Sequence, residues 1–246
     1  MIVGFVGSGS MAAAMARGWA GEFESLLFSD SGSGRARQLA EELGGEAVSN
    51  EEVARRADLV VLAVKPNKLD EVAPQLAGAK DVVSVLAITT LEQLRAALPE
   101  AEHVLRVMPN VAVEVRQGVL CAAGSASDGA REKLDVLGQV VEIAEEDFDA
   151  ATAVMGCSPA YLALAVEAIA EAGVADGLDA QLAHDLVVET AVGTAELLRR
   201  HDPAGLRKAV ASPGGATEAG LEALDREGGR EAFAAAVEAS LERMRG

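Results

Sequence analysis

Two short segments of this chain have spacings suited to binding anions. Near the N-terminus, Gly7-Ser8-Gly9-Ser10-Met11-Ala12 follows the apolar run Ile2 to Val6 and leads straight into a helical pattern containing Met15 and Trp19. In such a GxGxxA turn the first glycine permits a tight bend and the second lets backbone approach a pyrophosphate. The small third residue keeps helix and strand close. The helix start then offers unpaired N–H groups and the positive end of its dipole to phosphates. The chemistry implied is the binding of a dinucleotide. The second segment, Ser212-Pro213-Gly214-Gly215-Ala216-Thr217, opens another predicted helix, where hydroxyls and N–H groups again suit an anion.

Other candidates follow from where ligands bind on open parallel sheets, beyond the carboxyl ends of the strands. Asp30 closes the second apolar run about 20 residues after the glycine turn, where a carboxylate suits the 2′-hydroxyl of an adenosine ribose and favours NAD. Its neighbours Ser29, Ser31, Ser33, Arg35 and Arg37 suit a 2′-phosphate and NADP equally well, so both cofactors stay open. Ala63-Val64-Lys65-Pro66-Asn67 and Met108-Pro109-Asn110 follow two later runs. Each proline stiffens its loop, and Lys65 and Asn110 add polar groups to a rim expected to face the cofactor. The three histidines and two cysteines have no metal-ligand spacing and form no triad, so neither a metal site nor His-based catalysis is expected.

The elements that must position these residues can be read from periodicity. Runs at Ile2 to Val6, Leu26 to Ser29, Leu59 to Val64, Val82 to Leu86 and Val104 to Val107 are continuously apolar, as strands covered on both faces should be. Gly118 to Cys121 and Val140 to Ile143 are expected to extend the sheet. The pattern predicts an α/β chain, with a Rossmann-like parallel-sheet dinucleotide-binding domain at residues 1–147. From Phe148 helical periodicity takes over, predicting an all-helical substrate-binding and dimerisation domain at residues 148–246. Its helices are expected from Ser158-Pro159 to about Ala172, stopped by Gly173, and at 179–200, 215–226 and 229–245.

A formal net charge of -18 over 246 residues repels a polyanion, which argues against a nucleic-acid partner. No uninterrupted apolar stretch of about 18 residues and no basic leader is apparent, so neither a membrane span nor a signal peptide is expected. With so few cysteines, a reducing, cytoplasmic setting is expected.

The stretches FVGSGSMAAAMARG, ADLVVLAVKPN, VLRVMPN, FDAATAVMGCSPAY and above all VASPGGATEAGLEAL resemble the pyrroline-5-carboxylate reductases over nearly the whole chain. The resemblance implies NAD(P)H-dependent reduction of Δ1-pyrroline-5-carboxylate to L-proline, by a homodimer or a larger ring of dimers. By position, it implies that Gly7, Ser8, Gly9, Ser10, Met11 and Ala12 hold the pyrophosphate and that Asn50 approaches the ribose. Val64, Lys65 and Ala87 then lie along the cofactor. Ser212, Gly214, Gly215, Ala216 and Thr217 form the substrate pocket, with Glu145 at its edge. The chain departs from the family pattern at Cys157-Ser158, where Ser-Gly is common, at Ile88, where a glycine usually stands, and in a short link around His201-Asp202.

This chemistry suits the residues. A carboxylate-bearing cyclic imine needs an anion site, and its protonated C=N is already electrophilic, so positioning counts for more than a strong acid or base. Thr217 is the expected hydrogen-bond partner of the ring nitrogen. Two other readings compete: a sister reductase acting on another cyclic imine or carbonyl, and a dinucleotide-binding regulator without catalysis. The span Pro159 to Gly177 lacks the lysine that similarly built hydroxyacid dehydrogenases use, which favours imine chemistry.

Overall fold

A computed structural model describes residues 1–245. Eight strands form one sheet: β1 Ile2–Val6, β2 Ser25–Ser29, β3 Glu46–Ala47, β4 Leu59–Leu62, β5 Asp81–Ser84, β6 His103–Pro109, β7 Gly118–Gly124 and β8 Gly138–Glu142. Their order is β3-β2-β1-β4-β5-β6-β7-β8. All pairings are parallel except β6 with β7. The fold class expected from the sequence is thus observed, with seven of the strands near their expected places. The two-residue β3 was missed, because Glu46 and Ala47 carry no apolar run.

Between the strands lie α1 Ser10–Gly18, α2 Arg35–Leu43, α3 Asn50–Arg56, α4 Leu69–Val72, α5 Leu91–Ala97 and α6 Asp128–Val136. They explain why the strand runs are continuously apolar. Leu59 and Val61 join a core with Met15, Leu39 and Leu134 of α1, α2 and α6. The alternating Val60 and Leu62 join a second core with Val53, Leu69 and Leu94 of α3, α4 and α5. Successive side chains on a strand point to opposite faces, and here both faces are buried. The chain winds outward from β1 to β3 and then returns to β4, so the crevice between the carboxyl ends of β1 and β4 is the switch point where such sheets take ligands.

After β8 come α7 Phe148–Ala151, a π-helical turn at Thr152–Gly156, α8 Ser158–Ala175, α9 Ala180–Leu198, α10 Pro203–Val210, α11 Ala216–Arg226 and α12 Gly229–Arg245. The chain forms two compact units, Met1–Cys157 with the residues from Leu241 on, and Ser158–Ser240. Ser158 and Pro159 do not open a fresh helix after a loop. They continue out of the π turn, and the helical run spans Glu145–Ala175. Gly173 does not stop α8 either. A Cβ there would lie 3.2 Å from Leu178 Cδ1 and 3.7 Å from Ala183 Cβ, so this glycine makes room for neighbouring chain. Gly177, at φ +101°, makes the turn instead. The helix expected at 179–200 ends at Leu198, and α10, capped by the Asp202 carboxylate on Gly205 N–H at 2.8 Å, was not anticipated.

By length and composition alone the run Glu145–Ala175 is apolar enough to cross a membrane. The run is not unbroken, since Glu167 and Glu171 interrupt it, and a helix that packs against protein passes the same test of average hydropathy. Most of that window is unburied within the protomer.

Candidate active-site residues

Gly7 has φ +97°, and a Cβ on it would lie 2.6 Å from the Ala63 carbonyl oxygen at the end of β4. The bend therefore needs glycine both for conformation and for space. Gly9 differs. Its φ is -77°, and a Cβ there would meet no protein atom within 4 Å. The protein itself makes no demand for glycine at 9, which leaves open space directly before the helix. Gly9 caps α1 without a side-chain hydrogen bond, so the N–H groups of Ser10, Met11 and Ala12 head a helix that no side chain seals. Ala12 is buried against the sheet, and the Ser8 hydroxyl donates to the Ser29 carbonyl at 3.0 Å.

At the end of β2 the Ser29 hydroxyl lies 3.2 Å from the Phe5 carbonyl and 2.5 Å from Asn50 Oδ1, while Asn50 Nδ2 donates to Gln75 Oε1 at 2.8 Å. Asn50 is thereby fixed at the first turn of α3, beside Ser29. The Asp30 carboxylate folds back on its own loop. It accepts from Gly32 N–H at 2.7 Å, the Ser33 hydroxyl at 2.8 Å and Ala36 N–H at 2.9 Å. Burial, the largest single influence, pushes its pKa up, but those donors together with Arg35 N–H outweigh it and hold the carboxyl below the ordinary value. Arg35 and Arg37 are exposed beside it, and among the described residues neither is paired with a carboxylate.

Ala63 and Val64 are half-buried after β4, whereas Lys65 and Pro66 are exposed at the start of a short 3-10 turn, Pro66–Lys68. Ala87 follows β5, and Ile88 after it takes φ +60°, a left-handed conformation unusual for a β-branched residue. Asn110 serves the fold: its Oδ1 accepts from Val119 N–H at 3.2 Å and its Nδ2 donates to the Met155 carbonyl at 3.4 Å. Asn110 thus links the end of β6 to β7 and to the π-helical turn at Thr152–Gly156.

Glu145 stands just after β8. Its Oε1 accepts from Arg106 Nη1 at 2.7 Å and from Leu91 N–H, at the start of α5, at 2.9 Å. The Arg106 guanidinium lies 4.0 Å from the centroid of the Phe148 ring. Sequence reasoning passed over Arg106. The signal was present, since a cation inside the apolar run Val104 to Val107 must find a partner once that strand is buried.

The loop at 212–217 belongs to the other compact unit. Gly214 has φ +74°, Gly215 caps α11, and Ala216 and Thr217 begin that helix. Gly215 N–H donates to the Ser212 carbonyl at 2.9 Å, closing the turn. Gly214 N–H donates to Glu218 Oε2 at 2.7 Å. The loop thus already holds a carboxylate, one of its own, which sequence reasoning did not foresee. A Glu at the third position of a helix reaching back to N–H groups before it was the available sign.

A doubly covered parallel sheet with a switch-point crevice, a glycine bend and an unsealed helix start define the class: a dinucleotide-binding protein of the Rossmann type. Comparisons with known proteins narrow this. Residues 145–246 match the family model for pyrroline-5-carboxylate reductase dimerisation, and residues 2–88 match the NADP oxidoreductase, coenzyme F420-dependent model. The pyrroline-5-carboxylate reductase of Synechocystis is 37% identical over 79% of this chain and 76% of its own length. Pyrroline-5-carboxylate reductase 3 of Macaca fascicularis is 36% identical over 99% and 94%. Among solved structures, the Streptococcus pyogenes 1-pyrroline-5-carboxylate reductase superposes with a TM-score of 0.88 at 31% identity, covering 99% of this chain and 98% of that one. The NADP-bound Plasmodium falciparum pyrroline carboxylate reductase gives 0.85 at 29%, covering 99% and 97%. This chain belongs to the pyrroline-5-carboxylate reductase family.

Proposed function

We propose that this protein reduces Δ1-pyrroline-5-carboxylate to L-proline with NADPH. The observation that carries this reading is the loop at 212–217, whose Gly214 N–H already grips a carboxylate. A ring carboxylate takes the place of Glu218 there, joined by the Ser212 and Thr217 hydroxyls and by the N–H groups of Gly215 and Ala216 at the helix start. Thr217 hydrogen-bonds the ring nitrogen, and Glu145 stands at the edge of the substrate site. The protonated imine carries its proton on nitrogen before reaction. Addition of hydride to carbon therefore yields the amine directly, without an acid from the protein.

NADPH, when bound, supplies that hydride. Gly7 to Ala12 receive its pyrophosphate, Ser29 and Asn50 flank the adenosine ribose, and Ala63, Val64, Lys65, Pro66 and Ala87 line its course, with Asn110 holding the rim. The choice of NADPH over NADH is supported by Asp30, whose carboxylate is turned into its own loop, and by the unpaired Arg35 and Arg37 beside it. Residues 1–147 act as the dinucleotide-binding domain and 148–246 as the substrate-binding and dimerisation domain. The unburied apolar surface of α8 and α9 closes against a second copy, and dimers can assemble into larger rings. Free Cys121 and Cys157 suit a reducing cytoplasm.

The test is NADPH oxidation followed on addition of Δ1-pyrroline-5-carboxylate, repeated with NADH and with Thr217→Ala. Turnover faster with NADPH, and a kcat/KM about tenfold or more lower in Thr217→Ala, is expected. Absence of oxidation with this imine while another imine or carbonyl is reduced overturns the substrate assignment.

A further inference from the structure

We propose that Arg106 is a positioning residue of the active site, acting through Glu145. The proposal rests on the reading above, in which Glu145 borders the substrate. The Arg106 side chain is 5% exposed and sits within β6 between Leu105 and Val107. Burying a guanidinium costs free energy that its ion pair often only just returns. A well-packed apolar residue at such a place frequently serves stability as well or better. The charge at 106 therefore asks for a purpose beyond packing.

The geometry supplies one. The guanidinium is fixed in plane by the Phe148 ring at 4.0 Å, and it reaches Glu145 with Nη1. The same carboxylate oxygen, Oε1, also accepts from Leu91 N–H at 2.9 Å. Glu145 is thus pinned through one oxygen only, by a donor from β6 and a donor at the start of α5. Its other oxygen, Oε2, is buried and has no partner among the described residues, as is Arg106 Nε. An unpartnered buried acceptor is costly in a folded protein, so a carboxylate kept at this place asks for a role beyond packing, as the arginine does. In the reduction proposed above that role is electrostatic: the carboxylate steadies the cationic substrate by its charge, while the single N–H of the ring nitrogen goes to Thr217 and hydride addition leaves the neutral amine.

Leu91 adds a second link. It follows the turn Ala87 to Thr90, which in the proposed reading lies along the cofactor. One carboxylate oxygen therefore ties the cofactor-bearing turn to the group that meets the substrate, and Arg106 sets its orientation. A lysine at 106 keeps the charge but lacks the planar fork that stacks on Phe148 and bonds the carboxylate in a fixed direction.

The experiment is a double-mutant cycle on kcat/KM for Δ1-pyrroline-5-carboxylate, with Arg106→Met, Arg106→Lys, Glu145→Gln and the two double variants. Thermal unfolding and NADPH titration are measured on each. Arg106→Met is expected to lower kcat/KM about 30-fold in the wild-type background and less than about threefold in the Glu145→Gln background, because Arg106 acts through the carboxylate. Arg106→Lys is expected to recover part of that loss, and NADPH affinity should stay within about threefold throughout. A folded Arg106→Met with kcat/KM near wild type overturns the proposal, as does an equal loss in both backgrounds. If Arg106→Met does not fold, Arg106→Lys carries the same cycle: a loss confined to the wild-type background supports the role, and no loss or an equal one overturns it. Failure of the underlying reading would show separately, as wild-type protein that does not oxidise NADPH with this imine.

Discussion

The two compact units use similar apolar residues in opposite ways. In the sheet unit, Val, Leu and Phe side chains on both faces of the strands disappear beneath helices, and Phe5 packs against both Trp19 and Phe28 in its interior. In the helical unit, by contrast, Ala170 and Ala183 are the only buried hydrophobic residues among those described, while Leu162, Leu164, Ile169 and Leu182 of α8 and α9 are exposed. A helix apolar all round belongs in a core, and within one protomer this core is missing. The sheet unit therefore carries its own stability, whereas the helical unit holds its apolar surface for a partner. The match of residues 145–246 to a dimerisation model fits that division.

The comparison breaks most visibly if the helical face is spoiled. Leu164 is 64% exposed and lines two apolar grooves of the helical unit, one with Ala170 and Val188, the other with Tyr161 and Phe233. Burying a leucine contributes about 1.5–3 kcal/mol, and a symmetric interface counts it twice. Leu164→Glu replaces that with a charge needing solvent. Light scattering is expected to show a monomer, with turnover down by about 100-fold or more, while NADPH titration still shows binding by the sheet unit. A variant that stays dimeric, or a monomer that turns over at the wild-type rate, removes the distinction between the units.

A second contrast lies inside the sheet unit, between two glycines of one turn. Gly7→Ala meets both an unfavourable φ and the Ala63 carbonyl oxygen at 2.6 Å, so a loss of about 3 kcal/mol is expected. For a chain of this size that lowers Tm by roughly 6–12 °C. Gly9→Ala meets nothing, so its Tm should match wild type, yet its NADPH affinity should fall about tenfold or more because the methyl enters the space before α1. Calorimetry and fluorescence titration on the pair check this. Equal affinity in Gly9→Ala and wild type shows that no ligand occupies that space.

The same contrast explains what the sequence made legible. Buried strands and the glycine turn were readable because local pattern and tertiary role agree there: continuous apolar runs, then glycines at fixed spacing. The paired glycines of 212–217 were readable for the same reason. Arg106 and Asn110 were harder, because their roles depend on partners 39 and 45 residues away. Asn110 reads as a rim residue, but its hydrogen bond to the Met155 carbonyl, 45 residues on, does not show in the sequence. Asp30 reads equally as a ribose contact and as the neighbour of a 2′-phosphate site, and the closing of its own loop by the carboxylate does not show in the sequence. Gly173 reads as a stop until its hydrogen is seen to make room for Leu178 and Ala183. In each case the residue type was visible and its partner was not.

Ile88 gives the finest test of how the sheet unit balances strain against use. It holds φ +60° and is 60% exposed, so its side chain gains little from packing while its backbone adopts a conformation that costs an L-residue roughly 1–2 kcal/mol. Glycine removes that cost but adds unfolded-state entropy, so Ile88→Gly should stabilise the protein by about 1 kcal/mol and raise Tm by about 2–4 °C. The side chain opens onto a groove of about 460 Å³ shared with Pro66, Thr89 and Gln93, directly after the turn expected to border the cofactor. A chain that keeps a strained isoleucine at such a rim uses its bulk there, so kcat/KM should fall as Tm rises. If Tm drops instead, the side chain's own contacts outweigh the backbone cost, and the rim at 88 is held by packing like the rest of the sheet unit.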